Sequence, residues 1–361
     1  MVWLGVIVSL CYIPGVTGAY IPTQWPALAV LLPYGLLRSG PFTVFHLLGV
    51  LFIAYAVAWL PWSPNFNGGV FGLWVMIIAA LTVWFGTTLA SVRGLYAGLA
   101  AGAAVSSAVA VFQFYGVELV PTASIAPPGL YVNSVQQGTT LALIMIALIT
   151  ERMWLWIPPL LPGFLLAHSR GGFIVLLVGL LGCVKRRLWV AGVLGVAGAF
   201  YLLLPLSSSD AQRMYIWRTA WDGLRWFGWG SGVFYNVILS FNGTVFFPEY
   251  AHNDFLQLAF EYGIGAAFPI AVIGYAAWRT DVNEWPVVLA FCAAACFSMP
   301  LFMPVTAFLA LVAVGRVLRV HGLHGGYRCA GRFAILSRRI RFGSAARQAN
   351  LSLASHHHAK G

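Results

Sequence analysis

The sequence predicts an all-α, polytopic membrane protein with about twelve transmembrane helices. Of its 361 residues, 60% are apolar, 15% are aromatic and only 8% are charged, which excludes an ordinary soluble domain. A hydrocarbon core about 30 Å thick requires roughly 20 apolar residues per helix, and runs near that length recur along the chain. A transmembrane barrel would show short alternating strands instead, so the spans are expected to be helices.

The apolar segments follow one another with short polar breaks. The first, Val2 to Val16, has no basic residue before it and is expected to be a retained span, not a cleaved signal peptide. The region from Val135 to His168 is expected to form two short spans. One long broken span would place the basic run at Lys185 on the side opposite Arg38 and Arg93. The expected spans are 2–18, 22–37, 42–60, 70–90, 94–115, 136–150, 153–168, 172–184, 188–206, 254–278, 285–300 and 303–319.

The basic residues orient these spans. With the N-terminus in the cytoplasm, sixteen of the twenty Lys and Arg lie on the cytoplasmic side, as the positive-inside rule expects. Nine of the twenty fall between Arg316 and Lys360, mostly in a tail after the last span. This tail, 321–361, is expected to be a disordered cytoplasmic segment that lies on anionic membrane lipids, and nucleic acid is not an expected partner. A single transmembrane domain, 1–320, precedes the tail.

Four arginines remain on the outer side, against the bias that orients the other basic residues. They are Arg170, Arg213, Arg218 and Arg225. Arg170 lies between two apolar segments, where an unpaired guanidinium costs roughly 2.5–3.5 kcal/mol on insertion scales. It either serves a ligand or reaches the interface to pair with a carboxylate such as Glu118. Arg218 and Asp222 are four residues apart on a predicted helix and are expected to form a surface ion pair.

The outer loop 207–253 is the most polar stretch of the chain outside its tail. Arg213 and Trp217 are four residues apart and share a face of a predicted helix. The loop then contains Gly228, Gly230 and Gly232, which permit tight turns and the close approach of a ligand. Tryptophans along this helix also suit a position at the membrane surface, which is the simpler interpretation for each of them alone.

His252 stands at the end of this loop, just before the tenth span. Its imidazole has a reference pKa of about 6.5, so it can carry or accept a proton near neutral pH. Asp254, Gln257 and Glu261 follow at spacings that place them along one helix face, and such a polar stripe on a membrane helix is expected to face a cavity. The alternative is an ordinary interfacial histidine with Asp254 as a helix cap.

Together these segments resemble the O-antigen ligase and polymerase superfamily, which also includes bacterial protein O-oligosaccharyltransferases. The resemblance extends from about residue 125 to 270, while the first 115 residues match only as apolar spans. It rests on Ser169-Arg170-Gly171-Gly172 at a span edge, Arg213 followed by Trp217, the GxGxGxF pattern from Gly228 to Phe234, and His252-Asn253-Asp254 with Leu256, Glu261 and Gly263 downstream.

The resemblance implies a membrane-embedded glycosyltransferase of the C type in the bacterial inner membrane. Such an enzyme takes a glycan from undecaprenyl pyrophosphate at the periplasmic face. Arg170 and Arg213 are then expected to clamp the departing diphosphate, because guanidinium forks match phosphate oxygens. His252 is expected to orient or deprotonate the acceptor hydroxyl and so to give inversion at the anomeric carbon. The remaining expected substrate-binding residues are Asp254 and Glu261, one of which would hold His252, and Gly230, Gly232, Trp217 and Arg218.

No cofactor or metal ion is expected, because the acidic residues outside form no DxD-type cluster and two arginines can stabilise the leaving group. The first choice of acceptor is lipid A core, which would make the protein an O-antigen ligase of lipopolysaccharide biosynthesis. A second lipid-linked repeat, for a polymerase, and a protein Ser or Thr are the alternatives. The competing class is a transporter of lipid or polysaccharide, which repeated halves and broken helices at the midplane would favour. A degenerate accessory member of the superfamily is the third possibility.

Overall fold

The computed structural model describes residues 1–10, 44–117, 119, 126–131, 133–183, 208–236, 239–241, 244–246, 248, 250–279 and 282–319. The chain divides into two compact units, Met1–Leu318 and Arg319–Gly361. The expected disordered tail, 321–361, lies outside the described residues, as do the expected spans 22–37 and 188–206.

The described residues are mainly helical, as the sequence predicts. Short 3-10 turns occur at Leu60–Trp62, Trp154–Trp156, Pro158–Leu160, Val233–Asn236 and Gly263–Ala266. The segment 207–253 contains a small antiparallel hairpin, β1 (Leu239–Phe241) and β2 (Thr244–Phe246), which the expected all-helical fold did not include. The helices are α1 (Val2–Leu10), α2 (Val44–Trp59), α3 (Phe66–Thr88), α4 (Arg93–Phe114), α5 (Ser134–Thr150), α6 (Leu161–Leu166), α7 (Arg170–Gly182), α8 (Ser208–Asp222), α9 (Asp254–Tyr262), α10 (Ala267–Trp278), α11 (Trp285–Phe297) and α12 (304–319).

Four helical stretches among the described residues are long and apolar enough to cross a membrane. They agree within a few residues with the expected spans 42–60, 70–90, 94–115 and 254–278. The other apolar helices are shorter, so the chain has the character of a membrane protein while the number of twelve spans stays a prediction. The four stretches are Val44–Trp62, Phe66–Thr88, Arg93–Phe114 and Asp254–Trp278.

The region 135–168 divides into two helical segments, and the expectation that each crosses the membrane stays a prediction. Helix α5 ends at Thr150, and Arg152 adopts a left-handed conformation with φ of 58°. The chain then continues through two 3-10 turns into α6, with Pro158 the first residue of the second turn and Pro162 the second residue of α6. Proline is tolerated there because the first amides of a helix have no partner within it.

Helix α5 lies at the centre of the described bundle. Every residue from Gln136 to Leu148 is buried, which is expected of a helix surrounded by other helices on all sides. Gly138 packs directly on Ser169, and a Cβ at this glycine would lie 2.4 Å from the Cβ of that serine. The hydroxyls of Thr140 and Thr306 lie 2.8 Å apart. These contacts place the first turns of α5, α7 and α12 together.

The other ends of the same helices carry ion pairs. Arg316 Nε lies 2.8 Å from Glu284 Oε1, between the last turn of α12 and the start of α11. Arg93 Nε lies 3.9 Å from Glu151 Oε2, between the start of α4 and the end of α5. We call this the charge-pair end, and the opposite end, with Ser169 and Thr306, the loop end.

Candidate functional site

Helix α9 begins at the loop end. The backbone N–H of Leu301, just before α12, donates to Asp254 Oδ2 at 2.7 Å. Asn253 caps the helix, because its side-chain oxygen accepts a hydrogen bond from the Leu256 N–H at 3.0 Å. The cap is therefore Asn253, and Asp254 is the first residue inside the helix. His252 directly precedes the cap and lies at the same end as Ser169.

Helix α8 presents Arg213 towards His252. Its residues Ile216 and Ala220 are buried in a small apolar cluster with Phe260 of α9, and Arg213 precedes them by three and seven residues. Positions three, four and seven apart share one helix face, so Arg213 and Trp217 lie on the face that packs against α9. This agrees with the face that the sequence predicts.

The chemistry of His252 follows from burial and from Arg213. Burial lowers the pKa of its imidazole, and the nearby Arg213 guanidinium lowers it further, to about 4. The imidazole is therefore neutral at pH 7 and can accept a proton. An anion bound by the guanidinium would cancel part of that positive field and make the imidazole a stronger base.

The glycine-rich loop packs on the end of α9. Gly228 and Gly230 have φ of 71° and 102°, a region that disfavours other residues. The Gly230 N–H donates to the Glu261 carbonyl at 2.9 Å, and a Cβ at Gly228 would lie 2.2 Å from that same oxygen. A Cβ at Gly230 would lie 2.7 Å from the Cβ of Ser63. Packing within the protein thus explains why glycine is required here, and direct ligand contact stays a prediction.

Gly232 continues this loop against the start of α3. It has φ of 68°, and a Cβ there would lie 2.2 Å from the Gly68 carbonyl oxygen. The Asn65 side chain both caps α3 and donates to the Gly232 carbonyl at 3.2 Å. Helix α3 therefore also begins at the loop end, where it supports the wall of the site.

The two acids expected to hold His252 make their hydrogen bonds elsewhere. Asp254 has no exposed surface, and its Oδ1 has no hydrogen-bond partner among the described residues. Glu261 is 2% exposed and accepts hydrogen bonds from the Gln257 side chain at 3.3 Å and from the Gly232 N–H. Both acids thus tie α9 to neighbouring segments. Their expected contact with a ligand or with His252 stays a prediction.

The remaining arginines differ in their surroundings. Arg170 is exposed at the first position of α7, which Ser169 caps by accepting from Gly172 N at 3.0 Å. It lies at the same end of the bundle as His252. Arg225 stacks on the Trp229 ring, with its Cζ 3.2 Å from the centroid.

Arg218 forms the surface ion pair that its spacing predicts. Its Nε lies 3.8 Å from Asp222 Oδ2, and 84% of its side chain is exposed. Arg218 and Trp217 also line a groove of about 560 Å³ between α8 and α9, which extends to Asn253. The Trp217 Nε1–H donates to the Ala251 carbonyl at 2.8 Å. Because this donor is already used, only the indole ring of Trp217 can contact a ligand in the groove.

Two contacts within the site have no local sequence signal. The hydroxyls of Ser231 and Tyr262 lie 2.6 Å apart, which joins the glycine loop to the last turn of α9. Gln257 Oε1 accepts a hydrogen bond from the Ala251 N–H at 3.0 Å. Gln257 is recognisable in the sequence only as a member of the polar stripe, because its partner lies outside the helix.

Comparison with known protein families and with curated protein sequences finds no match for this chain. The site is therefore defined by its own residues. It combines His252, which is neutral and half-buried, with the permanent positive charge of Arg213 on α8. A groove between α8 and α9 adds exposed tryptophan and arginine side chains. This arrangement suits proton transfer from a hydroxyl beside a bound anion.

Proposed function

We propose that the protein is an inverting membrane glycosyltransferase. It would transfer a glycan from undecaprenyl pyrophosphate to an acceptor hydroxyl, with lipid A core as acceptor, and so act as an O-antigen ligase. The observation that carries this proposal is the pairing of His252 with Arg213 at one end of an apolar helical bundle. A proton acceptor beside a fixed cation matches a reaction that deprotonates a hydroxyl and releases a diphosphate.

The proposed reaction is a single displacement. His252 accepts the proton of the acceptor hydroxyl as its oxygen bonds to the anomeric carbon. The bond from that carbon to the diphosphate oxygen breaks, and the electron pair leaves with undecaprenyl pyrophosphate. Arg213 stabilises the negative charge that develops on the leaving group, and Arg170 is the proposed second cation. Attack on the face opposite the leaving group inverts the configuration.

Donor binding would also prepare the base. Without a donor, burial and the Arg213 charge together keep the pKa of His252 low, at about 4. A diphosphate on Arg213 would offset the smaller of these two effects, raise that pKa and increase the basicity of the imidazole when the donor is in place. Deprotonation of the acceptor would therefore depend on donor binding.

The proposed orientation places the loop end at the periplasmic face of the bacterial inner membrane, with both termini in the cytoplasm. The distribution of charge between the two ends supports it. Arg93 and Arg316 lie at the charge-pair end, which the positive-inside rule would place in the cytoplasm. Arg170 lies at the loop end and is an exception to that rule.

The reaction is tested with purified protein and a lipid-linked glycan. We expect His252→Asn and Arg213→Ala to lower transfer by about 100-fold or more, the usual contribution of a positioned acid–base group. Asparagine tolerates a left-handed backbone, so it keeps the conformation of His252 better than alanine. Arg93→Ala is the matched control, because this exposed arginine lies at the charge-pair end, away from His252, and should change transfer little. Undiminished transfer by either of the first two variants would contradict its assigned role.

Two further experiments test the finer parts of the proposal. We expect transfer to survive EDTA, because the arginines supply the positive charge; loss of transfer that Mg²⁺ restores would contradict the arginine clamp. We also expect the chain to restore high-mass lipopolysaccharide in a strain lacking its O-antigen ligase. A glycoprotein ladder in that strain would instead identify a protein oligosaccharyltransferase.

A further inference from the structure

The peptide groups on both sides of Ala251 are held by side chains of two different helices. Its carbonyl accepts the Trp217 Nε1–H from α8 at 2.8 Å, and its N–H donates to Gln257 Oε1 of α9 at 3.0 Å. Ala251 itself has no exposed surface. The chain entering His252 is therefore fixed from both sides immediately before the imidazole.

The Gln257 amide has a defined direction. Its oxygen faces the Ala251 N–H, and its Nε2 donates to Glu261 Oε1 at 3.3 Å. A flipped amide would bring its oxygen against the carboxylate and its NH₂ against a backbone donor, which loses both bonds. Glu261 is held in turn by the Gly232 N–H, so the glycine loop, the acid and the glutamine form one connected set.

The residue that follows is strained. His252 has φ of 53°, in the left-handed region that few residues other than glycine adopt. Such a conformation costs about 1–3 kcal/mol and persists only where the surrounding structure imposes it. The two hydrogen bonds to Ala251 and the Asn253 cap are the contacts on either side of it.

We propose that Trp217 and Gln257 are positioning residues that hold the backbone of His252 so that its imidazole faces Arg213. Neither needs to touch a substrate for this role. The structural part of this proposal concerns only the placement of His252. The effect of that placement on glycosyl transfer rests on the proposed function. Trp217 then acts through its N–H, in addition to any contact of its ring in the groove.

The structural part is tested by the reaction of His252 with diethyl pyrocarbonate, measured by mass spectrometry as a function of pH. In wild type we expect the midpoint of reactivity at about pH 4, the lowered pKa of this histidine. In Trp217→Phe, which removes the N–H and keeps a ring, we expect the midpoint to rise above about pH 4, because a displaced imidazole is less buried and lies farther from Arg213. The exposed His168 serves as the internal reference.

A matched control is available in the same loop. Trp229 also donates its Nε1–H to a backbone carbonyl, that of Gly223 at 2.7 Å, but it has no bond to Ala251. Trp229→Phe should therefore leave the His252 midpoint at its wild-type pH. If Trp217→Phe leaves it there too, or if Trp229→Phe moves it equally, the positioning role of Trp217 is overturned.

Gln257 provides an independent test. Gln257→Leu removes both hydrogen bonds and should move the His252 midpoint in the same direction as Trp217→Phe. A midpoint that stays at its wild-type pH would overturn the role of Gln257. All midpoints are taken below the unfolding temperature of each variant, so the comparison is confined to folded protein.

Glycosyl transfer is then measured on the same variants. We expect Trp217→Phe to lower kcat by about 10- to 100-fold, the usual effect of a small misplacement of a catalytic group. The KM for the donor should change less, because Arg213 remains. A shifted midpoint with unchanged kcat would leave the positioning role intact and overturn the catalytic role of His252. An unchanged midpoint overturns the positioning role whatever the transfer rate.

Discussion

His252 combines a strained backbone with an unusual charge environment. Its φ of 53° is imposed by neighbouring contacts, and its imidazole lies near the Arg213 guanidinium. Histidine is among the residues that tolerate the left-handed region best. The hydrogen bonds on both sides of His252 hold the backbone from which the imidazole extends. The position therefore favours a neutral imidazole in the absence of a bound anion.

This environment predicts a pH dependence of stability. The pKa of His252 is lowered to about 4 in the folded protein, whereas it is about 6.5 in the unfolded chain. The unfolded chain therefore binds a proton first as the pH falls below about 6.5, and the folded protein loses stability until the pH reaches about 4. We expect the thermal unfolding temperature in detergent to fall more steeply over this range for wild type than for His252→Asn. Parallel curves would contradict the lowered pKa.

Gly232 offers a second test at the scale of one residue. Gly232→Ala places a Cβ 2.2 Å from the Gly68 carbonyl at φ of 68°, so we expect it to lower the unfolding temperature. Gly274→Ala is the control, because a Cβ there meets no atom within 4 Å and alanine favours a helix. An unchanged unfolding temperature for Gly232→Ala would contradict the packing explanation for this glycine.

At the scale of elements, helix starts assemble the site. Helices α5, α7 and α9 all begin at the loop end, and each has a side-chain cap, from Asn133, Ser169 and Asn253 respectively. A cap satisfies an amide that has no partner within the helix and fixes where the helix begins. The position of each polar residue that follows depends on that starting point.

We expect the loss of two of these caps to have different consequences. Asn253→Ala and Asn133→Ala each remove one side-chain bond to a backbone N–H, at 3.0 Å and 2.9 Å, and should each cost about 1 kcal/mol of stability. Only Asn253 adjoins His252, so only its loss should also lower kcat for transfer. Equal kcat values for the two variants would show that the start of α9 does not position the site.

At the scale of the molecule, the two ends of the bundle differ in chemistry. The charge-pair end joins α4 to α5 and α11 to α12 through carboxylate–arginine pairs, of which the Arg316–Glu284 pair is largely buried. The loop end collects the caps, the glycine loop and His252. These two ion pairs therefore lie at the end of the bundle opposite His252.

The orientation of the molecule is testable with the two ends of α3. Asn67 is exposed near its start at the loop end, and Ser91 is exposed just beyond its last turn. In a cysteine-free background, we expect a membrane-impermeant maleimide added to cells with a permeabilised outer membrane to label Asn67→Cys. Ser91→Cys should react only after the inner membrane is disrupted. The opposite pattern would place the loop end in the cytoplasm.

Local features of the site are predictable from the sequence, and its connections are not. The Arg218–Asp222 pair and the shared face of Arg213 and Trp217 follow from helical spacing alone. The partners of Asp254 and Glu261 do not, because Leu301 and Gly232 belong to segments remote in sequence. The sequence suggests that these acids serve His252 or a substrate, whereas their hydrogen bonds join α9 to the chain around it.

The sequence by itself determined that this is a helical membrane protein. It also determined the positions of four long apolar helices and the break in the chain after Thr150. These features depend on the length of apolar runs, on proline and on local spacing, which all act within one segment. The tertiary structure decided that Arg213 lowers the pKa of His252 and that Trp217 and Gln257 hold Ala251. These contacts depend on how whole helices pack and where each one starts. The periodicity of a single helix specifies which face a residue occupies, but not which neighbour meets that face.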